Sequence, residues 1–300
     1  MSKLLLFGVG RSRVCPISFL YTPGESLNDA SFTRASAATY IDSNSVIQDV
    51  TSDALRDNHF IGGNRYTLIE SASTNLVVRS EPLVSQTTVF GTVTDAAGFS
   101  GLARSIQFPA TNTFDAAFLG PSPLAGPTYV YSAYAIADDL GAITTGSSGT
   151  TYELRINGNG TLNADNRTLH IGNNVYWSEG KRVSTSGNSQ AGPARLAVPH
   201  QDRAFRVSGY QFEQRPFATS LIRTTGVAAS RSVDSLTIPG KPGKTLYLRY
   251  YDLATRLIID SVAAYAGAPI TPTVDRAYSH IAVLRSTLTL QEARDVLGVA

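Results

Sequence analysis

The sequence YVYSAYAI at residues 129–136 decides the fold of this chain. Side chains on a β-strand alternate between two faces, so Val130 and Tyr134 share one face while Tyr129 and Tyr131 share the other. Neither face is strongly polar. Because a strand that is apolar on both faces must be covered on both, we expect residues 129–136 to form a central strand.

Similar short apolar stretches occur on either side of this strand, and Gly, Pro, Asn, Asp or Ser residues interrupt them at intervals of about ten residues. This spacing predicts an all-β fold of antiparallel strands arranged as a sandwich or barrel. Between Phe205 and Phe212 the apolar alternation changes phase, which predicts a β-bulge at Ser208 and Gly209.

One short helix is predicted at the end of the chain. Thr289, with Glu292 three residues later, has the pattern of a capping box, and Gly298 provides the stop signal. We expect this helix to pack on the last strands.

The predicted domain organisation rests on a break in the pattern at residues 240–243, where two glycines and a proline stand among lysines. We expect a docking arm over residues 1–24, a β-sandwich over residues 25–239, and a β-rich segment over residues 240–300 that ends in the helix. The pattern leaves open whether the residues after the linker form a small domain of their own or complete the first sheet.

The composition argues against several classes of function. Charged residues make up 16% of the chain, the net charge is +2, and the 25 Lys and Arg are scattered, so no nucleic-acid surface is indicated. The single cysteine, Cys15, excludes an intramolecular disulfide framework and argues against a thiolate zinc site. The apolar run at residues 4–7 is too short for a signal sequence or a membrane span. We expect synthesis in a cytoplasm and no membrane insertion.

No cofactor or metal site is expected. His59, His170, His200 and His280 lack the spacing of metal ligands. Residues 157–166 offer oxygen atoms that could hold Ca²⁺, but they lack the alternating acidic pattern, so a turn is favoured there. No nucleophile elbow, P-loop or dinucleotide-binding pattern occurs in its required context.

Three segments, in this order along the chain, carry a resemblance to a known family. They read FTRASAATYID at residues 32–42, LIESASTNL at 68–76, and YQFE at 210–213, the last continuing through FATSLIRT at 217–224 to RSVD at 231–234. Together they resemble a recurring domain of phage tail fibres, head spikes and the related proteins of gene transfer agents. The chain departs from that family at Asn44-Ser45, where an Asn-Gly turn is common, and around residues 53–63.

The resemblance implies a concanavalin-like or carbohydrate-module jelly roll displayed on a virion that is assembled in a bacterial cytoplasm. It also implies binding of host cell-surface or capsular polysaccharide. Other virion structural proteins would be contacted through residues 1–24, and a homo-oligomer is expected, since multivalency turns weak sugar binding into avidity. The alternative is a purely architectural subunit, a decoration or adaptor protein that does not bind glycans.

Aromatic residues are the candidate carbohydrate-binding residues, because exposed rings stack on the apolar face of a sugar. The best local pair is Tyr176 and Trp177, with Tyr129, Tyr131 and Tyr152 as companions on neighbouring strands. The alternative for Trp177, the only tryptophan, is a position in the core.

Glu70 and Glu213 are the residues from which a capsule-degrading glycosidase could be built. Such an enzyme needs two carboxylates about 5 to 10 Å apart across the glycosidic bond. The favoured interpretation is different: an arginine, from Arg34 or Arg231, clamps a carboxylate and so holds strand ends together. We therefore expect no enzymatic activity.

Overall fold

The computed structural model describes residues 17–25, 27, 29–110, 115–118, 126–144, 153–156, 165–183, 191–195, 203–240, 242–270 and 275–299. These residues form antiparallel β-strands, one 3₁₀ turn (Val84–Gln86) and one short α-helix, α1 (Leu290–Leu297), which confirms the all-β fold. The strands are β1 (Ile17–Tyr21), β2 (Ser31–Thr33), β3 (Ala38–Ile41), β4 (Ile47–Val50), β5 (Arg56–Ile61), β6 (Asn64–Ile69), β7 (Ser73–Asn75), β8 (Thr88–Phe90), β9 (Thr94–Ala97), β10 (Arg104–Phe108), β11 (Asp115–Phe118), β12 (Thr128–Ala137), β13 (Glu153–Ile156), β14 (Asp165–Gly172), β15 (Val175–Val183), β16 (Ala191–Arg195), β17 (Phe205–Glu213), β18 (Ala229–Arg231), β19 (Ser235–Thr237), β20 (Thr245–Asp252), β21 (Ile258–Ala264) and β22 (Arg276–Leu284).

Three larger sheets contain most of these strands. Sheet 1 has the order β21-β20-β22-β6-β5, and β1 also pairs with β22. Sheet 2 has the order β14-β15-β12-β17-β10-β9, and sheet 3 has the order β13-β16-β11-β8. The remaining strands form the two-stranded pairs β3–β4, β2–β19 and β7–β18. A jelly-roll topology remains a prediction.

Strand β12 is central and covered on both faces, as its sequence predicts. It pairs with β15 on one side and β17 on the other. Tyr129 and Tyr131 lie in one apolar cluster, whereas Val130 and Tyr134 lie in a second one. The first cluster also contains Ala117 of β11, so sheet 2 packs against sheet 3 through it.

The predicted β-bulge is present in β17. The register of β17 on β12 shifts between Ser132, opposite Gln211, and Tyr134, opposite Ser208. Gly209 has a φ of 65°, a left-handed conformation that favours glycine. The extra residue restores the apolar phase, since side chains from both halves of β17 enter the same cluster. These side chains are Phe205, Val207, Tyr210 and Phe212.

Strand pairing crosses both boundaries that were drawn from the sequence. β1, at the end of the predicted docking arm, pairs with β22, and β22 also pairs with β6 and β20. The segment after the linker therefore shares a sheet with strands from the earlier part of the chain. Residues 1–16 of the predicted arm lie outside the described residues.

Sheet 1 is covered differently on its two faces. An apolar cluster that includes Phe32 and Leu236 packs on one face against Ile281. On the other face α1 covers one end, where Ala293 packs against Tyr247. The helix has the predicted capping box between Thr289 and Glu292, and Gly298 ends it in a left-handed conformation.

Candidate functional site

Three of the predicted sugar-binding aromatics lie in the interior. Tyr129, Tyr131 and Trp177 have exposed fractions of 3%, 0% and 8%. The Tyr129 ring stacks on Phe212 with the ring centroids 5.0 Å apart, and the guanidinium carbon of Arg256 lies 5.2 Å from the centre of the Trp177 ring. The Tyr129 and Tyr131 rings offer no open face to a ligand, because both lie in the apolar cluster between sheets 2 and 3. Trp177 borders only a small cavity of about 30 Å³, too small for a sugar ring. The stacking platform predicted for these three residues is therefore corrected to a core role.

The other two predicted aromatics differ from this group. Tyr176 is half-buried; its ring packs on the core between sheets 2 and 3, and its centre lies 4.8 Å from that of the exposed His170 ring. Tyr152 lies outside the described residues.

Glu70 and Glu213 are both completely buried. Glu70 Oε2 forms ion pairs with Arg56 and, at 3.0 Å, with Arg231, which confirms the predicted arginine clamp at this carboxylate. Glu213 has different partners: Thr219 donates from its backbone N–H at 3.0 Å and from its hydroxyl at 2.8 Å, and Gln211 Nε2 donates at 2.8 Å. Both glutamates are thus held in the structure by several hydrogen bonds.

The arginine clamp belongs to a larger buried ionic cluster, which we define as Arg34, Arg56, Glu70, Arg231 and Asp234. Arg56 joins Glu70 to Asp234, and Arg34 Nη1 lies 3.3 Å from Asp234 Oδ1. None of the five side chains is exposed to solvent. Buried charges need partners, and several further donors of the cluster bond to carbonyl groups, such as those of Thr51, Ala54 and Ser71. Among the described residues, Arg56 Nε and Arg231 Nε have no hydrogen-bond partner.

The ionic cluster joins segments that are distant in sequence. Arg34, Glu70 and the pair Arg231 and Asp234 come from the three segments that carry the family resemblance, whereas Arg56 begins β5. Ser220 adds a further link, because its backbone N–H donates to Glu70 Oε1 at 2.8 Å. These segments therefore meet in one place and fix the position of sheet 1 relative to the strands around β18.

Two pKa values are shifted at this place in the fold, that of Glu70 within the ionic cluster and that of the adjacent His59. Burial alone would raise the pKa of Glu70, but Arg231 and Arg56 hold the pKa of that carboxyl below its ordinary value. Burial lowers the pKa of His59 to about 4; the charge of Glu70 opposes this shift, and the charge of Arg56 adds to it. His59 Nδ1 accepts a hydrogen bond of 3.1 Å from the backbone N–H of Ile41, which fits a neutral imidazole.

An open groove of about 380 Å³ lies on the outer face of sheet 1. Its position follows from the register of three strands: Arg249 of β20 is directly opposite both Asp260 of β21 and His280 of β22. Residues that face each other in an antiparallel pair point to the same side, so these three side chains form one row. An extra residue in β22, Ser279, sets this register, because Tyr250 is opposite Tyr278.

The groove combines donors with apolar surface. Its lining includes the side chains of Asn64, Arg65, Tyr66, Arg249, Ile258 and His280. Ile258 is 54% exposed, whereas the Tyr66 ring is buried and lies against Tyr251 with the centroids 6.2 Å apart. The Arg65 guanidinium lies close to Gly24: a Cβ built there would stand 1.9 Å from Arg65 Nη1, so a larger residue at position 24 would displace this flexible side chain.

The sequence did not predict this groove. Arg249 and His280 become neighbours only through strand pairing and the extra residue in β22. One signal was available: Arg249 interrupts the otherwise apolar run TLYLRYY at residues 245–251. A charged residue within such a run marks a position where one face of the strand meets solvent or a ligand.

The described residues provide neither a metal-binding cluster nor a membrane-spanning helix. No cluster of three or more His, Cys, Asp or Glu side chains in the described part of the chain could hold a metal ion. In the same part, no helix is both long and apolar enough to span a membrane.

The chain matches no protein-family model. No curated protein matches its sequence.

Proposed function

We propose that this chain is a surface subunit of a phage-like particle, a head spike or tail fibre, that binds polysaccharide on the host cell or in its capsule. The groove on sheet 1 carries the binding part of this proposal. It brings guanidinium, imidazole and amide groups next to apolar surface, the combination by which proteins orient polar ligands. The family resemblance supports the setting on a virion that assembles in the host cytoplasm.

The proposed activity is binding without catalysis. Two observations support this part. Glu70 and Glu213, the only carboxylate pair that the sequence suggests for glycoside hydrolysis, are completely buried. The low pKa of Glu70 is also opposite to what a general acid requires, since the acid of a glycosidase needs a raised pKa.

The binding proposal can be tested by substituting residues that line the groove. Purified protein is incubated with intact host cells that carry or lack their capsule, and retained protein is measured. We expect the wild type to bind in a polysaccharide-dependent way and the Arg65→Gln/Arg249→Gln variant to bind at least about tenfold more weakly, as expected for lost charge-assisted hydrogen bonds.

Two controls accompany this measurement. The Lys244→Gln/Arg285→Gln variant removes the same charge from a different part of the surface. Far-ultraviolet circular dichroism establishes that each variant is folded. Absence of wild-type binding to both kinds of cell would overturn the glycan-binding proposal.

A second candidate function is architectural: a decoration or adaptor subunit that contacts other virion proteins through the predicted arm. One observation favours it. Among the described strands, β1 pairs only with β22, so β1, which lies within the predicted arm, is at the border of sheet 1. Deleting residues 2–16 while keeping β1 should then abolish incorporation into particles, measured by immunoblotting of purified particles. Normal incorporation would exclude the arm from docking.

The two functions are compatible, because a spike must both attach to the particle and bind a receptor. In a homo-oligomer, several grooves on one particle would act together, and avidity would compensate for weak binding at each groove.

A further inference from the structure

Strand β21 (Ile258–Ala264) is a long, regular strand at the edge of sheet 1. Among the described strands it pairs only with β20, and its seven residues do so without a shift of register. Proteins usually protect such an edge with a lysine, a proline, a bulge or a covering segment. The sequence IIDSVAA of β21 contains neither lysine nor proline. The opposite edge of the sheet differs, because β3 packs against β5 and Ile41 N–H donates to His59 there.

The outer side of β21 presents a row of backbone donors and acceptors. At one end of the strand, Asp252 N–H donates to the Leu257 carbonyl at 2.9 Å. At the other end, Tyr265 N–H donates to the Lys244 carbonyl at 2.6 Å. Bonded positions occur at every second residue of an antiparallel pair, so the odd-numbered residues of this strand bond to β20. The residues whose N–H and C=O groups point away from β20 are Ile258, Asp260, Val262 and Ala264.

The side chains of β21 favour pairing with another strand. Leu257 and Ile258 are 62% and 54% exposed, and Ala264 is exposed at the other end. The single charged residue of the strand, Asp260, already accepts a hydrogen bond of 3.0 Å from Arg294 of α1. An edge of this kind, apolar and with its charge already paired, is suited to the addition of a further strand.

We infer that β21 pairs with β21 of a second copy of this chain, in antiparallel orientation, and so joins two copies of sheet 1 into one continuous sheet. A two-fold axis at Ser261 aligns all seven residues of both strands. Asp260 is then opposite Val262 of the second copy. In the same way, Ile258 is opposite Ala264 of the second copy. All four of these residues have outward backbone groups, so each pair can exchange two hydrogen bonds.

Other positions of the axis fit the strand less well. With the axis at Asp260, that residue would lie opposite its own copy, and like charges that face each other destabilise a strand pair. With the axis at Val262, Ile258 would have no partner within the second β21. The strand is therefore most complementary to itself with the axis at Ser261.

The same register covers exposed apolar surface. Ile258 lies beside Ala264 of the second copy, and Leu257 lies beside Tyr265 of the second copy. Burial of these side chains removes apolar surface from water, which stabilises the association.

The pairing has a consequence for the groove on sheet 1. Residues that are opposite each other in an antiparallel pair point to the same side, so the same face of sheet 1 points in one direction in both copies. Ile258 also lines the groove, so both grooves lie near the joint and open on that side. Two grooves that face one cell surface bind polysaccharide with avidity. This consequence rests on the proposed function, whereas the pairing itself does not.

The first test is sedimentation velocity of the full-length protein at concentrations up to about 0.1 mM, where we expect a monomer–dimer equilibrium. Ser261→Lys places two lysines opposite each other at the axis and should raise the dissociation constant of the dimer about fivefold or more. Ala97→Lys is the control, because it adds the same charge to an exposed residue at the edge of sheet 2 and should leave association unchanged. Far-ultraviolet circular dichroism establishes that both variants are folded. A monomer at every concentration, or equal weakening by both substitutions, would overturn the inference.

The second test addresses the register and uses a protein in which Cys15→Ser has removed the native thiol. Directly opposite residues at a non-bonded position have Cα atoms about 4.5 Å apart, a distance that a disulfide can span. Ser261→Cys should therefore form a disulfide-linked dimer on mild oxidation, detected by non-reducing electrophoresis. Ala263→Cys is the matched control, since it is more exposed but lies opposite Ile259 of the second copy and should cross-link far less.

Equal cross-linking of the two cysteine variants, or an oligomer in which Ser261→Cys does not cross-link, would exclude β21 as the interface. Neither test contains polysaccharide. Failure of glycan binding therefore leaves the pairing of β21 intact, and failure of the pairing leaves glycan binding intact.

Discussion

Arg56 and Asp234 form an ion pair across 178 positions of sequence, and neither side chain is exposed to solvent. The pair holds the start of β5 against the turn before β19 and forms the middle of the ionic cluster. Because the cluster contains three guanidinium groups and two carboxylates, the loss of either carboxylate would leave buried positive charges without compensation.

The first prediction follows from this imbalance. Asp234→Asn keeps the shape of the side chain but removes its charge, so we expect a loss of about 3 to 5 kcal/mol in the free energy of unfolding. Urea denaturation followed by circular dichroism measures it. The control is Asp139→Asn, which alters an exposed ion pair with Arg203 and should leave the denaturation midpoint unchanged. Equal midpoints for wild type and Asp234→Asn would contradict a structural role of the cluster.

His59 gives a prediction about pH. Its pKa of about 4 in the folded protein lies below the ordinary value of 6.5, so between these values the unfolded chain binds a proton that the folded chain does not. Stability should therefore fall as the pH decreases from 6.5 to 4, by up to about 3 kcal/mol from this residue. His59→Asn, whose Oδ1 can accept from the Ile41 N–H, should remove this part of the pH dependence.

The measurement compares the free energy of unfolding of wild type and His59→Asn at pH 7.5 and pH 4.5. Asp275 acts in the opposite direction, since burial and the charge of Glu70 raise its pKa to about 6, but its contribution is common to both proteins and cancels. An identical change in stability for the two proteins would show that His59 is not the source.

Substitutions of Trp177 distinguish a packing role of this residue from a role in polysaccharide binding. Its ring is buried among Tyr134, Val175 and Leu221, so Trp177→Ala should cost about 3 to 5 kcal/mol through lost burial and a residual cavity. Trp177→Phe retains part of the packing and should cost less. Polysaccharide binding by the folded Trp177→Phe protein should equal that of wild type. Weaker binding at unchanged stability would return Trp177 to the binding site.

Two glycines allow a matched pair of substitutions: Gly209 lies in the bulge of β17, and Gly63 lies in the turn between β5 and β6. Gly209 and Gly63 both have positive φ, so alanine is strained at either position by about 1 kcal/mol. A Cβ at Gly209 would also lie 2.7 Å from the Tyr134 ring, whereas a Cβ at Gly63 would meet no atom within 4 Å. We expect Gly209→Ala to lower the melting temperature more than Gly63→Ala, because only the former overpacks the core. Equal effects would mean that backbone strain alone matters.

Sequence patterns predicted the secondary structure correctly where a single local feature of the sequence determines it. The apolar alternation around β12, the phase change in β17 and the capping box at Thr289 each have a single local cause, and each feature is present. In the largely apolar stretch NLVVR at residues 75–79, β7 ends at Asn75, because the buried Asn75 side chain accepts from the Val77 N–H and donates to the Ile222 carbonyl. Tertiary hydrogen bonds replace strand pairing there.

The candidate site was less predictable than the fold. An aromatic residue is suited both to a core and to a sugar platform, so the sequence alone could not separate these roles for Tyr129, Tyr131 and Trp177. Their burial depends on which sheets cover sheet 2. The groove depends on the pairing of β20 with β21 and β22, and strand register is a property of the whole sheet.

The position of β22 has a consequence for the order of events during synthesis. A ribosome makes β1, β5 and β6 early and β22 late, yet β22 is the strand that pairs with β1, β6 and β20. Until residues 276–284 emerge, β1 and β6 lack the partner that covers their free edges. Sheet 1 is therefore completed only near the end of translation, and chains that terminate before residue 276 expose unpaired strand edges that favour aggregation.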